Sequence, residues 1–204
     1  MRRERRSRAP LTCPPSRTRS RRRASFRGTA LWKKPSAYTF VESLDIPARA
    51  VLDTGAACKS TDYLSIDFAT LAATTYGAVV HAGTSKIMRF YLDGTKLQAK
   101  VDWYNQAIAT VSAGTRYQVH LVGQKAFLNG AQAVNMSGVP SFTADTNVII
   151  GGIGQKMRLW AVKHGTDADT LDRDMVPTVR NSDQTAGLYD RLSSTFYPYG
   201  AATG

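Results

Sequence analysis

The chain has 204 residues, enough for one ordinary domain with a real core. Its net charge of +12 points at first to nucleic acid, but residues 1–34 hold eleven Arg, two Lys and one Glu, and the remainder sets fourteen basic against fourteen acidic residues. The body therefore lacks the basic bias of a phosphate binder. No apolar run approaches the roughly 18 residues of a membrane span, and two cysteines without a CxxC neighbour or a histidine at metal spacing give neither a disulfide framework nor redox or zinc chemistry.

Residues 1–35 are dense in Arg, Ser and Pro and poor in large apolar side chains. Such a segment buries too little surface to offset its ordering entropy, and disorder is expected. It lacks the apolar stretch of a signal peptide. As a basic arm it would meet nucleic acid or an anionic surface. The alternatives are a plain solvated tail and sequence upstream of the true start.

Residues 36–204 read as short strands between turns. Leu64, Ile66 and Phe68 alternate with Tyr63, Ser65 and Asp67; Tyr76, Ala78 and Val80 alternate with Gly77 and Val79. Lys86 to Leu92 forms a strand, Asp93-Gly94 signals a two-residue hairpin, and Lys96 to Trp103 returns antiparallel. Arg116 to Val122 alternates again. Asn129-Gly130 then closes a hairpin between Ala126-Phe127-Leu128 and Gln132-Ala133-Val134. Val148 to Ile150 is short and apolar, and Met157, Leu159 and Ala161 alternate with Arg158, Trp160 and Val162. No amphipathic helix of three turns stands out. The spacing predicts an all-β, two-sheet antiparallel sandwich.

The order of these pieces resembles the concanavalin-A-like lectin/glucanase superfamily in its laminin-G-like jelly-roll branch. The stretches that carry it are AVLDTGAACKSTDYLSIDF within Tyr38 to Phe68, RYQVHLVGQKAFLNGAQAV (Arg116 to Val134) and NVIIGGIGQKMRLWAVKHG (Asn147 to Gly165). The segment RDMVPTVRNSDQTAGLYDRLSSTFYPYGAATG (Arg173 to Gly204) resembles the tail of such domains in phage virion and bacterial surface proteins. The resemblance implies a binding or structural module rather than an enzyme, concerned with carbohydrate recognition, adhesion or decoration, on a virion or cell surface. Its partners would be glycans or other virion and surface proteins. In this setting Asp53 and Gly55 form a turn after the first strand. Pro177 ends a strand, Gly187 permits a tight turn, Tyr189 and Phe196 cover the open end of the sandwich, and Asp190 accepts hydrogen bonds from loop amides.

Chemistry-bearing residues are sparse. Asp53-Thr54-Gly55 also resembles the active-site loop of retroviral-type aspartic proteases, which would need a second copy to complete the carboxylate pair. A glycan hydrolase of this fold needs paired carboxylates, whereas the only glutamates are Glu4 and Glu42. Calcium, the one cofactor the resemblance implies, would draw on Asp167, Asp169 and Asp172, although no EF-hand spacing is present. For sugar, Trp103, Tyr104 and Asn105 in a loop after a strand, with Asn129 at the hairpin, offer rings for CH groups and amides for hydroxyls.

Overall fold

The computed structural model describes residues 34–72, 76–152 and 154–201. The expectation for residues 1–35 falls almost wholly outside them. The described chain is all β, with no helix, and its strands form two antiparallel sheets. These are β1 (Tyr38–Phe40), β2 (Leu44–Ile46), β3 (Ala50–Lys59), β4 (Tyr63–Thr70), β5 (Tyr76–Ala82), β6 (Met88–Asp93), β7 (Lys96–Val101), β8 (Tyr104–Thr110), β9 (Arg116–Val122), β10 (Lys125–Leu128), β11 (Ala131–Asn135), β12 (Thr143–Gly151), β13 (Met157–Gly165), β14 (Leu171–Arg180), β15 (Ala186–Asp190), β16 (Thr195–Pro198) and β17 (Gly200–Ala201). The ten-stranded sheet runs β11-β10-β9-β4-β13-β14-β15-β16, with β1 on β14 and β2 on β13. The seven-stranded sheet runs β17-β3-β12-β5-β6-β7-β8.

Alternation places one side of each strand in a shared core. Leu64, Ile66 and Phe68 of β4 meet Leu121 and Val119 of β9 there, with Phe90, Leu97, Val101 and Ile150 from the other sheet. Each such side chain contributes about 1.5–3 kcal/mol on burial. Where alternation breaks, a bulge is present. Val79 and Val80 are both buried because the β5–β6 register shifts between Ala78 and Val80, so Val80 faces inward while Tyr76 and Ala78 face out. Likewise β13 slips between Leu159 and Ala161, and Val162 replaces Ala161 in the core. An extra residue inserted on one strand changes the face of everything beyond it.

The turns follow their glycines. Asn129 and Gly130 both have positive φ, 49° and 84°, as a type I′ hairpin requires. Asp93, by contrast, is the last paired residue of β6, opposite Lys96, so Gly94 (φ 59°) and Thr95 make that turn. Asp53-Thr54-Gly55 is not a turn after a strand. It is a bulge inside β3, where Gly55 takes φ 64° and β3 carries extra residues between its pairings to Ile149 and Asn147.

The C-terminal segment also departs from expectation. Pro177 lies within β14 instead of ending it. On its donor side the neighbour of β14 changes at this point: β13 pairs up to Met175 and β1 from Thr178, while the Pro177 carbonyl accepts Val41 N at 3.1 Å. No ladder bond needs the missing N–H. Gly187 is a strand residue opposite Pro198. Tyr189 and Phe196 do not cover an open end. Leu188 faces the core, so they face the outside of the ten-stranded sheet, where Tyr38 lies 5.0 Å from Tyr189 and 5.3 Å from Phe196, and Phe40 packs edge-on to Tyr189. Asp190 is fully buried and accepts Asp174 N (2.9 Å), Leu192 N (3.1 Å) and the Ser193 hydroxyl (2.6 Å).

Candidate functional site

The outer face of the seven-stranded sheet carries a row, polar except at Ile149, set by register. Ile149 of β12 pairs Asp53 on one side and His81 on the other; His81 pairs Arg89, Arg89 pairs Lys100, and Lys100 pairs Asn105. The next row holds Ala78, Tyr91, Gln98 and Ala107. Tyr76 stands beside Tyr91, with ring centroids 5.3 Å apart. The Arg89 guanidinium lies 4.2 Å over the Tyr91 ring and 5.7 Å from that of Tyr76. Tyr76 is 47% exposed, while Tyr91 is almost covered. Arg89 Nε and His81 Nδ1 are shielded from water and lack hydrogen-bond partners. The face thus offers an exposed ring held beside a fixed cation.

Of the residues singled out from sequence, Asn105 belongs to this row, and Trp103, 64% exposed, stands at the β7–β8 turn beside it. That turn uses Asp102 at φ 52°. Tyr104 and Asn105 are not in a loop: they begin β8, a strand the sequence reading missed. Tyr104 donates its hydroxyl to Gln106 at 2.9 Å. Asn129 is elsewhere, at the β10–β11 turn of the ten-stranded sheet, and its amide oxygen accepts Gln118 N at 2.9 Å, tying that turn to β9. Tyr76, Arg89 and Tyr91 were missed. The Asp93-Gly94 turn expected from sequence would have put Tyr91 opposite Lys96, and only the observed Gly94-Thr95 turn sets Tyr91 opposite Gln98 and Arg89 opposite Lys100.

Asp53 is exposed on the outer face, accepting Gly55 N at 2.8 Å and Asn147 Nδ2 at 3.4 Å. It sits within a strand rather than on an active-site loop. Asp167, Asp169 and Asp172 are not gathered into one ligand group. Asp167 instead accepts Asp169 N (2.9 Å) and Thr170 N (2.7 Å), and these amides hold its carboxyl below the usual range. Asp172 points its carboxylate toward His164, 3.7 Å from Nδ1. It also borders a cavity of about 320 Å³ lined by Gly55, Ala56, Ala57 and Arg173.

His164 brings together what sequence spacing kept apart. Cys58, Asp62 and His164 are buried and place their ligating atoms within 4.8 Å of one another, the one such group among the described residues. Burial, and then the Asp62 charge, pushes the Cys58 thiol up to about 12, so the free thiol is a poor nucleophile.

Burial also lowers the pKa of His81, aided by the Arg89 charge, and of His120, which stacks on Phe127 at 4.6 Å. A histidine held low in the fold takes up its proton later than the same residue in the unfolded chain. The unfolded state therefore binds more protons as pH falls below the ordinary value of 6.5. Stability is expected to drop between about pH 7 and pH 5, by at most about 1.4 kcal/mol per pH unit for each histidine. Urea unfolding at both pH values tests this. An equal drop in the His81→Gln, His120→Gln double variant would refute the assignment.

Two antiparallel sheets over one core define an all-β sandwich. No protein-family profile and no curated protein sequence matches the chain. Among solved structures, it is similar to a Bacteroides ovatus ATCC 8483 protein provisionally named as carbohydrate binding, with TM-score 0.59 and 11% identity over 80% of this chain and 59% of that one. The chain thus spans about three-fifths of that protein's length. A heptameric SAP-like pentraxin from Limulus polyphemus also aligns, with TM-score 0.46 and 15% identity over 64% of this chain and 76% of that one.

Proposed function

We propose that the chain is a non-catalytic carbohydrate-binding module, and that its glycan lies across the outer face of the seven-stranded sheet. The observation that carries this is the ladder of Tyr76, Tyr91 and Arg89. An exposed ring gives a sugar's CH face a stacking surface, and the cation beneath keeps the rings in place. Asn105 and the partly exposed His81 and Lys100 supply donors and acceptors at the spacing of the strands, matching the hydroxyls of an extended chain. Trp103 at the rim extends the apolar contact. The fold similarity to a protein named for carbohydrate binding supports the same ligand class. A fold alone does not carry function, so the face is the stronger support.

The C-terminal resemblance favours work on a phage particle or bacterial surface, in adhesion or decoration. A hydrolase would need two free carboxylates about 5–10 Å apart. Several aspartates are engaged otherwise: Asp45 with Arg158, Asp67 with Arg116, Asp183 with Arg180, and Asp145 with Thr84 and Ser85.

The test is a glycan array on the full chain, followed by calorimetry on the best ligand. Tyr76→Ala and Arg89→Gln are expected to weaken binding tenfold or more, about 1.4 kcal/mol, with thermal melts confirming folding. Binding unchanged in both folded variants would remove the ligand from this face. No selective binding to any glycan would overturn the function itself.

A further inference from the structure

The β3–β4 turn and β13 meet at one end of the core. Cys58 is the penultimate residue of β3, Asp62 precedes β4, and His164 pairs Leu64 near the end of β13. The turn is self-locking: Asp62 Oδ2 accepts Lys59 N at 2.7 Å, and Asp62 N donates to Lys59 O. That fixes the carboxylate. His164, with a side chain 2% exposed, has no hydrogen bond at either ring nitrogen. Its Nε2 lies 3.4 Å from Asp62 Oδ2, and its Nδ1 faces Asp172 Oδ2 at 3.7 Å. Met88 Sδ is 3.8 Å from Cys58 Sγ.

We propose that Cys58, Asp62 and His164 form a structural binding site for Zn2+. A thiolate, an imidazole and a carboxylate are the ligand types this ion takes. Zn–S near 2.3 Å and Zn–N or Zn–O near 2.0–2.1 Å place neighbouring ligands of a tetrahedron roughly 3.3–3.8 Å apart. The Nε2–Oδ2 separation falls in that range, and Cys58 Sγ, within 4.8 Å of both, needs only a small closure, with a water completing the shell. The ion would give the buried imidazole the direct bond that neither carboxylate, at 3.4 Å and 3.7 Å, makes. Asp172 stands where an outer carboxylate orients a ligating histidine through its second nitrogen. The sulfur and nitrogen donors disfavour calcium, which takes oxygen ligands.

The test uses the full-length chain carrying Cys13→Ser, so that any thiolate signal comes from Cys58. The protein is stripped with chelator and titrated with Co2+ as a spectroscopic stand-in. One equivalent is expected to give an intense thiolate-to-cobalt charge-transfer band, displaced by Zn2+, with a rise in Tm on Zn2+ addition. Asp172→Asn, an exposed and structurally mild change, is expected to weaken the affinity about 10- to 100-fold. Absence of the band at excess Co2+ overturns the site, as does its survival in a folded Cys58→Ser variant. If that variant does not fold, the spectrum of the Cys13→Ser protein decides alone.

Discussion

Replacing Asp190 by Ala is expected to lower unfolding free energy by about 3–5 kcal/mol, the range for removing one partner from a buried charged network. The side chain is fully buried at the end of β15 and collects four groups from two elements: the Asp174 amide of β14 and the Leu192 amide, Ser193 amide and Ser193 hydroxyl of the turn that follows. Arg173 Nε lies 3.8 Å away, and also donates to Thr54 O of the opposite sheet at 3.2 Å. Alanine leaves these donors in a dry site with no acceptor, and water cannot reach them without opening the turn. Asp190→Asn keeps one acceptor oxygen in nearly the same shape and should cost about half as much. Urea denaturation with an unchanged m-value reads both. A loss below about 1 kcal/mol for Asp190→Ala would mean that the turn relaxes and rehydrates.

Strands with one clean face and a hairpin of defined chemistry were legible in the sequence. Arg116–Val122 emerges with the predicted bounds, and the Asn129-Gly130 turn sits where its φ preference demands. β8 was not legible. Tyr104–Thr110 is an edge strand with most residues partly or fully exposed, so no period of two marks it. Bulges were also invisible. Val79-Val80 and Leu159-Trp160-Ala161 look like ordinary alternation until the partner strand shows a shifted register. The Pro177 exception depends on where two other strands end. Site residues divide the same way. Trp103 and Asn105 were found by type, and the Tyr76–Arg89–Tyr91 ladder required knowing which face β5 and β6 turn outward. The Cys58–Asp62–His164 group joins β3 to β13, a non-local pairing that no spacing rule within one segment can reveal.

Gly187→Val should destabilise by about 3 kcal/mol or more, beyond the usual cost of overpacking. The sign is informative, because valine in a strand normally improves on glycine. Gly187 is an ordinary strand residue here, and its value lies in having no side chain. A Cβ would come within 2.3 Å of the Tyr197 carbonyl oxygen and 2.8 Å of the Phe196 ring. The ring can swing away, but the carbonyl belongs to β16, whose pairing with β15 would have to open. That displacement propagates, because the chain crosses from β16 to β17 within one residue, and β17 pairs β3 of the other sheet. The segment therefore ties the two sheets together, and a wedge at Gly187 should loosen the tie. Gly187→Ala meets the same backbone atom with less bulk and is expected to cost about 1–3 kcal/mol. Hydrogen exchange should report faster opening of β16 and β17 in both variants, with β4 and β9 protected as before. Uniformly faster exchange instead would place the strain in the shared core and not at the C-terminal strands.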